Sequence, residues 1–448
     1  MSKSPPPLAA NPRALSLVWL AIALTVPAMV LRFTGFHPVD SPITGLLVFG
    51  TCVVAAAFLL TWAAETAEQD MGSGLAVVFL ALVTVLPEYT VDVYLSWRGG
   101  TDPEYQGLAL ANMTGANRLL IGMGWPIVAL LVWYREGRAG IHLRRERSGD
   151  VVYLLAATLY SALIPLKGSL AWYDAVVLAL IYAAYVRSSK GDAGEEHDIA
   201  SLVGPPRVMA AWDRTRRLRT TTALFVGAAA AILASSEPFS ESLVRTGEKI
   251  GVDKYLLIQW LAPLASEAPE FVVVVLLTMR GRSEMGLAAF ISSKVNQWTL
   301  LVGGVPVAFG LSRLYHGHGW AAAMAIDGRQ VEELWLTVTQ GLYAIATIAD
   351  LYFSLRQALV ILALFLVQFG GSLLIESGLG RGMGIGHAQL AVFHNGLSVL
   401  YAVLALWTIG RQSRHLVQRL GDVRHGVPAP AGGPIEQGGA GGPDESDA

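Results

Sequence analysis

Two proline–glutamate pairs, Pro87-Glu88 and Pro269-Glu270, each stand within a long apolar stretch of the chain. A proline has no backbone N–H and clashes with the carbonyl four residues before it, so we expect free carbonyl groups at Val83 and Ala265. Hard cations such as Ca²⁺ take several oxygen ligands from carbonyls, hydroxyls and carboxylates. The chemistry predicted for these two positions is therefore cation binding, with Glu88 and Glu270 as the charged ligands.

The surroundings of the two pairs also repeat. The stretch before each pair ends in small residues and an acid, Trp62-Ala63-Ala64-Glu65 in one copy and Ala234-Ser235-Ser236-Glu237 in the other. The stretch after each pair ends in Leu119-Leu120-Ile121-Gly122 or Leu300-Leu301-Val302-Gly303. Equivalent elements are five predicted spans apart. Because this number is odd, the second copy has the opposite orientation in a membrane. One such pair alone would equally indicate a helix kink, but two in inverted repeats favour an ion site at the midplane.

The composition requires a bilayer around these elements. The 448 residues are 53% hydrophobic and 15% charged, with a mean hydropathy of +0.49. A bilayer core needs about 20 apolar residues per helix, which predicts an all-α membrane protein of about twelve spans with lipid as its surroundings. The spans are 14–32, 43–64, 74–97, 107–134, 150–166, 170–186, 220–236, 254–279, 285–311, 331–353, 357–375 and 387–409.

The positions of the basic residues predict how these spans are oriented. About two thirds of the 32 Lys and Arg residues fall on one side if both termini are cytoplasmic, as positive residues prefer. The charges form no nucleic-acid-binding stripe, and the composition suits a bacterial inner membrane. The lone Cys52 can form no disulfide within the chain. The first apolar stretch is of full length without a cleavage site, so we expect a retained helix.

The predicted domains follow the same pattern, as two five-helix repeats with an extra helix at each end. We expect an N-terminal segment with the first extra helix, a first repeat, a cytoplasmic linker, a second repeat, a second extra helix and a disordered tail. Their ranges are 1–42, 43–186, 187–217, 218–375, 376–410 and 411–448.

The two units resemble those of the calcium/cation antiporter superfamily, whose repeats carry Gly-Thr-Ser-x-Pro-Glu followed by Gly-Asn-x-x-Gly-Ser-Asn-x-x-Asn. Thr84, Pro87 and Glu88 match the first unit and 112–117 the second, while repeat two keeps Ser266, Pro269 and Glu270, with 289–297 after them. The resemblance covers about residues 43–375. It implies a secondary antiporter that works by alternating access, without a cofactor, on cations such as Ca²⁺, Na⁺ and H⁺. Glu88 and Glu270 would be central ligands, helped by Thr84 and Ser266.

The departures from the family pattern limit what is carried over. Val85 and Glu267 stand where the family places serines, and Ala116 and Leu120 replace a serine and an Asn or Asp in repeat one. Repeat two has Ser293 and Gln297 at such positions. Because several sodium ligands are missing, a three-sodium stoichiometry is not expected. The further ligand candidates are Glu267, Asn117, Ser293 and Gln297, with Asn112 and Asn296 as secondary candidates.

Two basic residues bear on the charge of the site. Lys294 replaces an expected Asn, and Arg118 follows Asn117. Either side chain would snorkel towards the membrane surface or face the site as a fixed cation, with Lys294 paired to Glu267 or Glu270. If both face the site, three carboxylates and two basic groups leave one net negative charge, which favours a monovalent ion or a proton. If Arg118 faces away, a divalent ion fits.

Proton coupling is the preferred hypothesis, since burial in a cleft favours the protonated form of a carboxyl group and allows it to exchange a proton for a cation. Asp92 and Asp350 would be proton relays or interhelical hydrogen bonders. Four acids at span ends would line an ion entrance or face solvent, and His316-Gly317-His318 is typical of a loop. The four acids are Glu65, Glu68, Glu237 and Glu241.

Two other classes of function are alternatives to an antiporter. A degenerate exchanger fold acting as a sensor or scaffold is compatible with the missing ligands. A membrane-embedded enzyme is less compatible, because the sequence has no His-Glu-x-x-His, Gly-x-Ser-x-Gly or Gly-x-Gly-Asp motif. The pattern fixes neither the transported ion nor the oligomeric state.

Overall fold

Apolar runs become helices throughout the computed structural model, which describes residues 14–34, 41–70, 86–189, 202–320, 323–376 and 386–425. Val83, Thr84 and Val85 lie outside these ranges. The helices are α1 (Ala14–Thr34), α2 (Pro42–Ala67), α3 (Leu86–Gly99), α4 (Pro103–Gln106), α5 (Leu108–Leu119), α6 (Trp125–Glu136), α7 (Ser148–Ser161), α8 (Leu163–Lys167), α9 (Trp172–Ser189), α10 (Pro205–Ala210), α11 (Arg214–Ile250), α12 (Lys254–Met279), α13 (Ser283–Asn296), α14 (Val302–Tyr315), α15 (Gly328–Ile348), α16 (Leu355–Glu376) and α17 (His387–His425).

Eight helical stretches within the described ranges are long and apolar enough to cross a bilayer, which makes the chain an integral membrane protein. They are Ala14–Thr34, Pro42–Ala67, Pro103–Glu136, Arg145–Lys167, Arg214–Ile250, Lys254–Met279, Leu355–Glu376 and Ala388–Arg411. Of the other four predicted spans, 170–186 corresponds to α9 and 285–311 to α13 with α14. The described part of 74–97 corresponds to α3, and 331–353 to α15, which ends at Ile348, before the predicted end of the span. Within the described residues, these helices do not meet the same criteria of length and apolarity, so the count of twelve spans stays a prediction.

Two helices extend beyond their predicted ends. The span predicted to end at residue 236 continues through Pro238 to Ile250. The helix persists because Phe239, Leu243 and Val244 are buried where α11 packs on α2 and α3. α17 likewise continues past the predicted end of order at residue 410, to His425, through a segment rich in the helix formers Arg, Gln and Leu.

The predicted linker is more ordered than its polar composition indicated. Its second part forms α10, which packs against α1 and α2 and buries Met209. The preceding residues Leu202 and Val203 are buried as well. The basic run from Arg214 to Arg219 forms the first turns of α11 rather than a loop. Residues 190–201 lie outside the described part of the chain.

Four short strands depart from the all-α prediction. β1 (Gly140–His142) pairs antiparallel with β4 (Tyr352–Ser354), and β2 (Ser169–Ala171) pairs antiparallel with β3 (Ala323–Ala325). A Cβ at Gly140 would lie 2.5 Å from the Tyr352 hydroxyl, so the first pair requires glycine there. Each pair joins connections that are distant in sequence, which no local pattern predicts.

Two helix junctions share a local distortion. A π-helical turn at Leu120–Gly124 joins α5 to α6, and another at Gln297–Leu301 joins α13 to α14. π-helical turns occur mostly as single turns near functional sites. α5 also packs closely on α12, since a Cβ at Gly115 would lie 1.7 Å from the Gln259 carbonyl oxygen. This close approach brings the 112–117 motif on α5 against α12, which carries Pro269 and Glu270.

Candidate cation-binding site

Three carboxyl groups meet where α3 packs against α12. Glu88 lies in the first turn of α3 and is 3% exposed, while Glu267 on α12 is 1% exposed. Glu270 follows Glu267 by three residues, so both lie on one face of α12, and Glu270 is half-buried. All three carboxyl groups interact electrostatically, and those of Glu88 and Glu267 are hydrogen-bond neighbours. The structure therefore brings together the two predicted central acids and the extra acid Glu267.

Gln297 links two of these acids. Its side-chain nitrogen Nε2 donates to Glu267 Oε1 at 2.7 Å and lies 3.3 Å from Glu88 Oε1. Gln297 is fully buried and opens the second π-helical turn, which rotates it relative to a regular helix. Ser293, one turn earlier, donates to Glu270 Oε2 at 3.0 Å. The predicted ligands Gln297 and Ser293 thus both contact the carboxyl cluster, which is defined here as Glu88, Glu267 and Glu270.

Lys294 contributes a buried positive charge beside the carboxyl cluster. Its side chain is 0% exposed, and Nζ donates to the Asn117 carbonyl oxygen at 2.7 Å. The ammonium also stands 5.3 Å from the Trp298 ring and interacts electrostatically with Glu267. The snorkelling interpretation of Lys294 is therefore wrong, because a snorkelling lysine keeps its ammonium in water.

Arg118 points to a different partner. It is also 0% exposed, and its Nη2 lies 2.5 Å from Glu333 Oε2 on α15. The guanidinium stands 5.2 Å from the Trp260 ring. The snorkelling interpretation is wrong for Arg118 too. Its charge is balanced by Glu333, a residue that the sequence analysis did not select.

Several buried oxygens around the carboxyl cluster accept no hydrogen bond from any described residue. They are acceptor atoms of acids or amides, which a cation satisfies and another acceptor does not. The set is Asp92 Oδ2, Asn112 Oδ1, Asn117 Oδ1, Glu267 Oε2 and Gln297 Oε1. Asn112 donates to Asp92 Oδ1 at 2.8 Å, so the predicted relay acid Asp92 lies in contact with the second motif.

The structure also describes three further predicted ligands, which are Ser266, Ala265 and Asn296. Ser266 is buried, and its hydroxyl donates to the Ala262 carbonyl at 3.1 Å. Ala265 lies four residues before Pro269, which has no N–H to donate to its carbonyl. Asn296 accepts from the Tyr89 hydroxyl at 3.3 Å. The predicted carbonyl ligand Val83 and hydroxyl ligand Thr84 lie outside the described residues.

The remaining predicted acids lie away from the carboxyl cluster. Glu237 is half exposed and pairs with Arg32 at 2.6 Å. Glu241 accepts from the Tyr94 and Tyr105 hydroxyls, both at 2.7 Å. Both acids lie within α11, which continues to Ile250, so the expectation that they close a span is wrong, and their partners are side chains away from the carboxyl cluster.

The other candidates from the sequence are Asp350, Glu65 and His316, and their positions are as follows. Asp350 accepts from the Tyr352 backbone N–H at 3.1 Å, next to β4. Glu65 is half-buried near the end of α2, and His316 contacts the Ser312 carbonyl at 2.8 Å. Within the described ranges, no group of three or more His, Cys, Asp or Glu side chains is arranged as a metal site. The three acids of the carboxyl cluster, although neighbours, are therefore not arranged as a complete metal site.

Sequence reasoning missed Glu333 and His394, which form a second buried polar group with Arg118. His394 Nδ1 lies 3.5 Å from Glu333 Oε1, and its Nε2 lies 2.8 Å from the Ser372 hydroxyl. A signal was present, since an ionisable residue inside a predicted span is expected to have a partner or a function. The partners could not be paired from sequence, because they lie on helices far apart in the chain.

Buried charges within apolar, membrane-spanning helices are typical of ion-transport proteins. The model of the sodium/calcium exchanger protein family matches residues 41–189 and 220–375. The chain belongs to this family, the sodium/calcium exchangers of the calcium/cation antiporter superfamily.

Solved structures agree with this assignment. The crystal structure of the H⁺/Ca²⁺ exchanger CAX matches 92% of this chain and 98% of its own, at 35% identity and a TM-score of 0.81. The structure of native YfkE shares the fold, at 13% identity and a TM-score of 0.58 over 80% of this chain and 98% of its own. No curated protein sequence is significantly similar to the chain.

Proposed function

We propose that the protein is a secondary antiporter that exchanges Ca²⁺ for protons by alternating access. The observation that carries this is the carboxyl cluster, in which acids from both halves are buried beside unsatisfied oxygens. Ca²⁺ prefers oxygen ligands of this kind. The similar structure of 35% identity is that of an H⁺/Ca²⁺ exchanger, which makes Ca²⁺ and H⁺ the first substrates to test.

The charge balance favours a divalent ion. Arg118 is paired with Glu333, so Lys294 is the base that acts on the carboxyl cluster among the described residues. If the neighbouring Asp92 carries a proton, three ionised carboxyl groups and one ammonium leave two negative charges uncompensated, which matches Ca²⁺. Protons would neutralise the same groups when Ca²⁺ leaves, because a buried carboxylate without a cation is costly. Exchange of two protons for one Ca²⁺ follows from this balance.

The ligands proposed for the ion are Glu88 and Glu270, supported by Glu267 and Ser293. Gln297 and Asn117 would supply amide oxygens, and both have an unsatisfied oxygen at the site. The carbonyls of Val83 and Ala265 and the hydroxyls of Thr84 and Ser266 complete the proposed set. Asp92 and Asn112 would pass protons or hold the neighbouring helix in place.

Two inverted repeats and twelve spans are also proposed, and the strand pairing supports them. A five-span offset relates β1 to β3 and β2 to β4, since the strands of each such pair follow equivalent spans. If each strand is replaced by its equivalent in the other repeat, the β1–β4 pair becomes the β2–β3 pair. Two π-helical turns at equivalent places add to the symmetry.

Ion pairs between connections support the predicted alternation of sides, and the cytoplasmic location of both termini is proposed from the distribution of basic residues. Asp70 pairs with Arg217, and Glu284 with Arg144, between connections that are all predicted on the inner side. Lys254 pairs with Glu104 between connections predicted on the outer side. A bacterial inner membrane is the proposed location, and the domain limits given above are proposed with the corrections at residues 237–250 and 411–425.

The proposal is tested with purified protein in lipid vesicles that contain a pH-sensitive dye. We expect addition of Ca²⁺ to drive proton movement in the wild type, and Glu88→Gln and Glu270→Gln each to abolish it. Glu146→Gln, at an exposed loop residue, is the matched control and should behave as wild type. Proton movement with Na⁺ or K⁺ but not Ca²⁺ would replace Ca²⁺ by a monovalent ion. A folded wild type without movement in any cation would leave the sensor or scaffold role.

A further inference from the structure

A second group of buried charges lies where α5, α15, α16 and α17 meet, apart from the carboxyl cluster. His394 on α17 contacts Glu333 at 3.5 Å and Ser372 at 2.8 Å, and Glu333 pairs with Arg118 at 2.5 Å. His394, Glu333 and Arg118 are each 1% exposed or less. Residue 394 lies outside the two ranges that the family model matches. The added last helix therefore supplies an ionisable side chain to the exchanger core.

An open cavity of about 420 Å³ leads towards this group. Its lining includes Asp253, Tyr255 and Arg329. Arg329 pairs with Asp253 at 3.1 Å and also with Glu376, and its guanidinium stands 3.9 Å from the Tyr255 ring. Since Arg329 precedes Glu333 by four residues on α15, the cavity ends one helical turn from the buried group.

Tyr255 connects the cavity and the buried group. Its hydroxyl is buried, has no hydrogen-bond partner among the described residues, and interacts electrostatically with Glu333. A hydroxyl both donates and accepts, so it can pass a proton from water to a carboxylate. The connections around the cavity are those predicted on the outer side of the membrane.

We propose that His394 and Glu333 form a proton-binding site, separate from the carboxyl cluster and reached from the outer cavity past Tyr255. A proton from water would pass the Tyr255 hydroxyl to Glu333 and then reside on His394 Nδ1, and it would return to water by the same route. The titratable and charged groups around His394 come from every helix packed against it. They are Glu333 and Arg329 on α15, Arg118 on α5, Glu376 on α16, Tyr255 on α12 and Tyr401 on α17 itself.

Glu333 connects His394 to the ion site, because it is the partner of both His394 and Arg118. His394 contacts Oε1 of Glu333 and Arg118 contacts Oε2, so a protonated His394 shares this one negative charge with Arg118 and leaves the Arg118 charge less compensated. Arg118 adjoins Asn117, whose carbonyl holds Lys294 at 2.7 Å. More positive charge next to the carboxyl cluster disfavours a bound cation. Outer acidity would thus weaken Ca²⁺ binding, and this effect on Ca²⁺ rests on the proposed function.

The first test measures the dissociation constant for Ca²⁺ by calorimetry on the full chain in detergent, across the titration range of histidine. For H394Q we expect the constant to vary with pH less steeply than in wild type, by up to about tenfold per pH unit for one linked proton. H318Q, at an exposed loop histidine, should keep the wild-type slope. Identical slopes in wild type and H394Q would overturn the inference while leaving the antiporter intact. A wild type that binds no Ca²⁺ would reject the proposed function instead.

A second measurement needs no cation. The unfolding temperatures of wild type and H394Q, followed against pH without Ca²⁺, should diverge across the histidine range, whereas those of wild type and H318Q should run parallel. Parallel curves for H394Q would overturn the inference. If H394Q does not fold, Ser372→Ala keeps His394 but removes its Nε2 partner. This variant should move the pH midpoint of the same step, and an unmoved midpoint would contradict the site.

Discussion

Arg118 and Glu333 form an ion pair in the protein interior, with 2.5 Å between Nη2 and Oε2 and both side chains almost completely buried. This pair turns the Arg118 charge away from the carboxyl cluster. It leaves Lys294 as the compensating base on which the proposed charge balance depends. The sequence left both orientations of Arg118 open, and the structure favours the one that suits a divalent ion.

Removal of one partner of this pair should destabilise the protein strongly. Glu333→Gln would leave the Arg118 guanidinium buried without its counter-ion, which costs about 3–5 kcal/mol. The double variant Arg118→Met with Glu333→Gln should recover part of this loss, since no unpaired charge remains. Thermal unfolding in detergent measures both, with Glu146→Gln as the control. A Glu333→Gln protein as stable as wild type would contradict the pairing.

Lys294 should lower the affinity of the site for Ca²⁺. Lys294→Gln removes the ammonium that opposes a bound cation, so we expect the dissociation constant for Ca²⁺ to fall by about tenfold or more. Calorimetric titration of the purified protein measures this constant. Lys249→Gln, at an exposed residue, removes the same charge elsewhere and should leave the constant unchanged. Weaker Ca²⁺ binding in Lys294→Gln would mean that the ammonium supports the site rather than opposing the ion.

The pair between Asp70 and Arg217 should make stability depend on pH. The Arg217 guanidinium donates to both Asp70 oxygens, at 2.6 and 2.7 Å, and holds the pKa of this carboxyl below its usual value of 3.8. Because the folded-state pKa is lowered, the stabilisation is present above the unfolded-state pKa and is lost as the pH falls through the folded-state pKa.

Asp70→Asn should therefore lower the unfolding free energy by about 1–3 kcal/mol at neutral pH. The difference from wild type should shrink as the pH falls through and below 3.8. Unfolding of both proteins at a series of pH values gives the comparison. A difference that stays constant down to the acid limit would show that the carboxylate charge is not its source.

The single cysteine allows a direct test of the twelve-span topology. In a Cys52→Ala background, Glu146→Cys lies in a connection predicted inside and His318→Cys in one predicted outside. A membrane-impermeant thiol reagent should label His318→Cys in intact cells and Glu146→Cys only after the membrane is opened. Labelling of both positions from the same side would require an even number of spans between them instead of the predicted five, and would reject the twelve-span topology.

Much of the site could be predicted because its signals are local. A proline followed by glutamate inside an apolar stretch costs free energy unless the freed carbonyl and the carboxylate bind a cation, and this pattern occurs twice. This pattern indicates Glu88 and Glu270, the family resemblance adds Ser293 and Gln297, and the structure brings the four together. The helices themselves follow from the apolar runs, to within a few residues at most ends.

What the sequence could not provide depends on contacts between distant helices. Glu333 and His394 are ordinary ionisable residues in their own segments, and only the packing of α15 on α17 and α5 makes them one group. The extension of α11 past Pro238 likewise depends on α2 and α3, against which Phe239 and Leu243 are buried. The strand pairs join connections that no periodic pattern relates.

The most direct test is a structure of the protein determined with Ca²⁺, in which anomalous scattering identifies the ion. The account predicts one Ca²⁺ between α3 and α12, about 2.3–2.6 Å from carboxyl oxygens of both Glu88 and Glu270. The ion should be absent from the Glu270→Gln protein prepared in the same way. A Ca²⁺ bound elsewhere, or one that contacts only one of these two acids, would contradict the shared site.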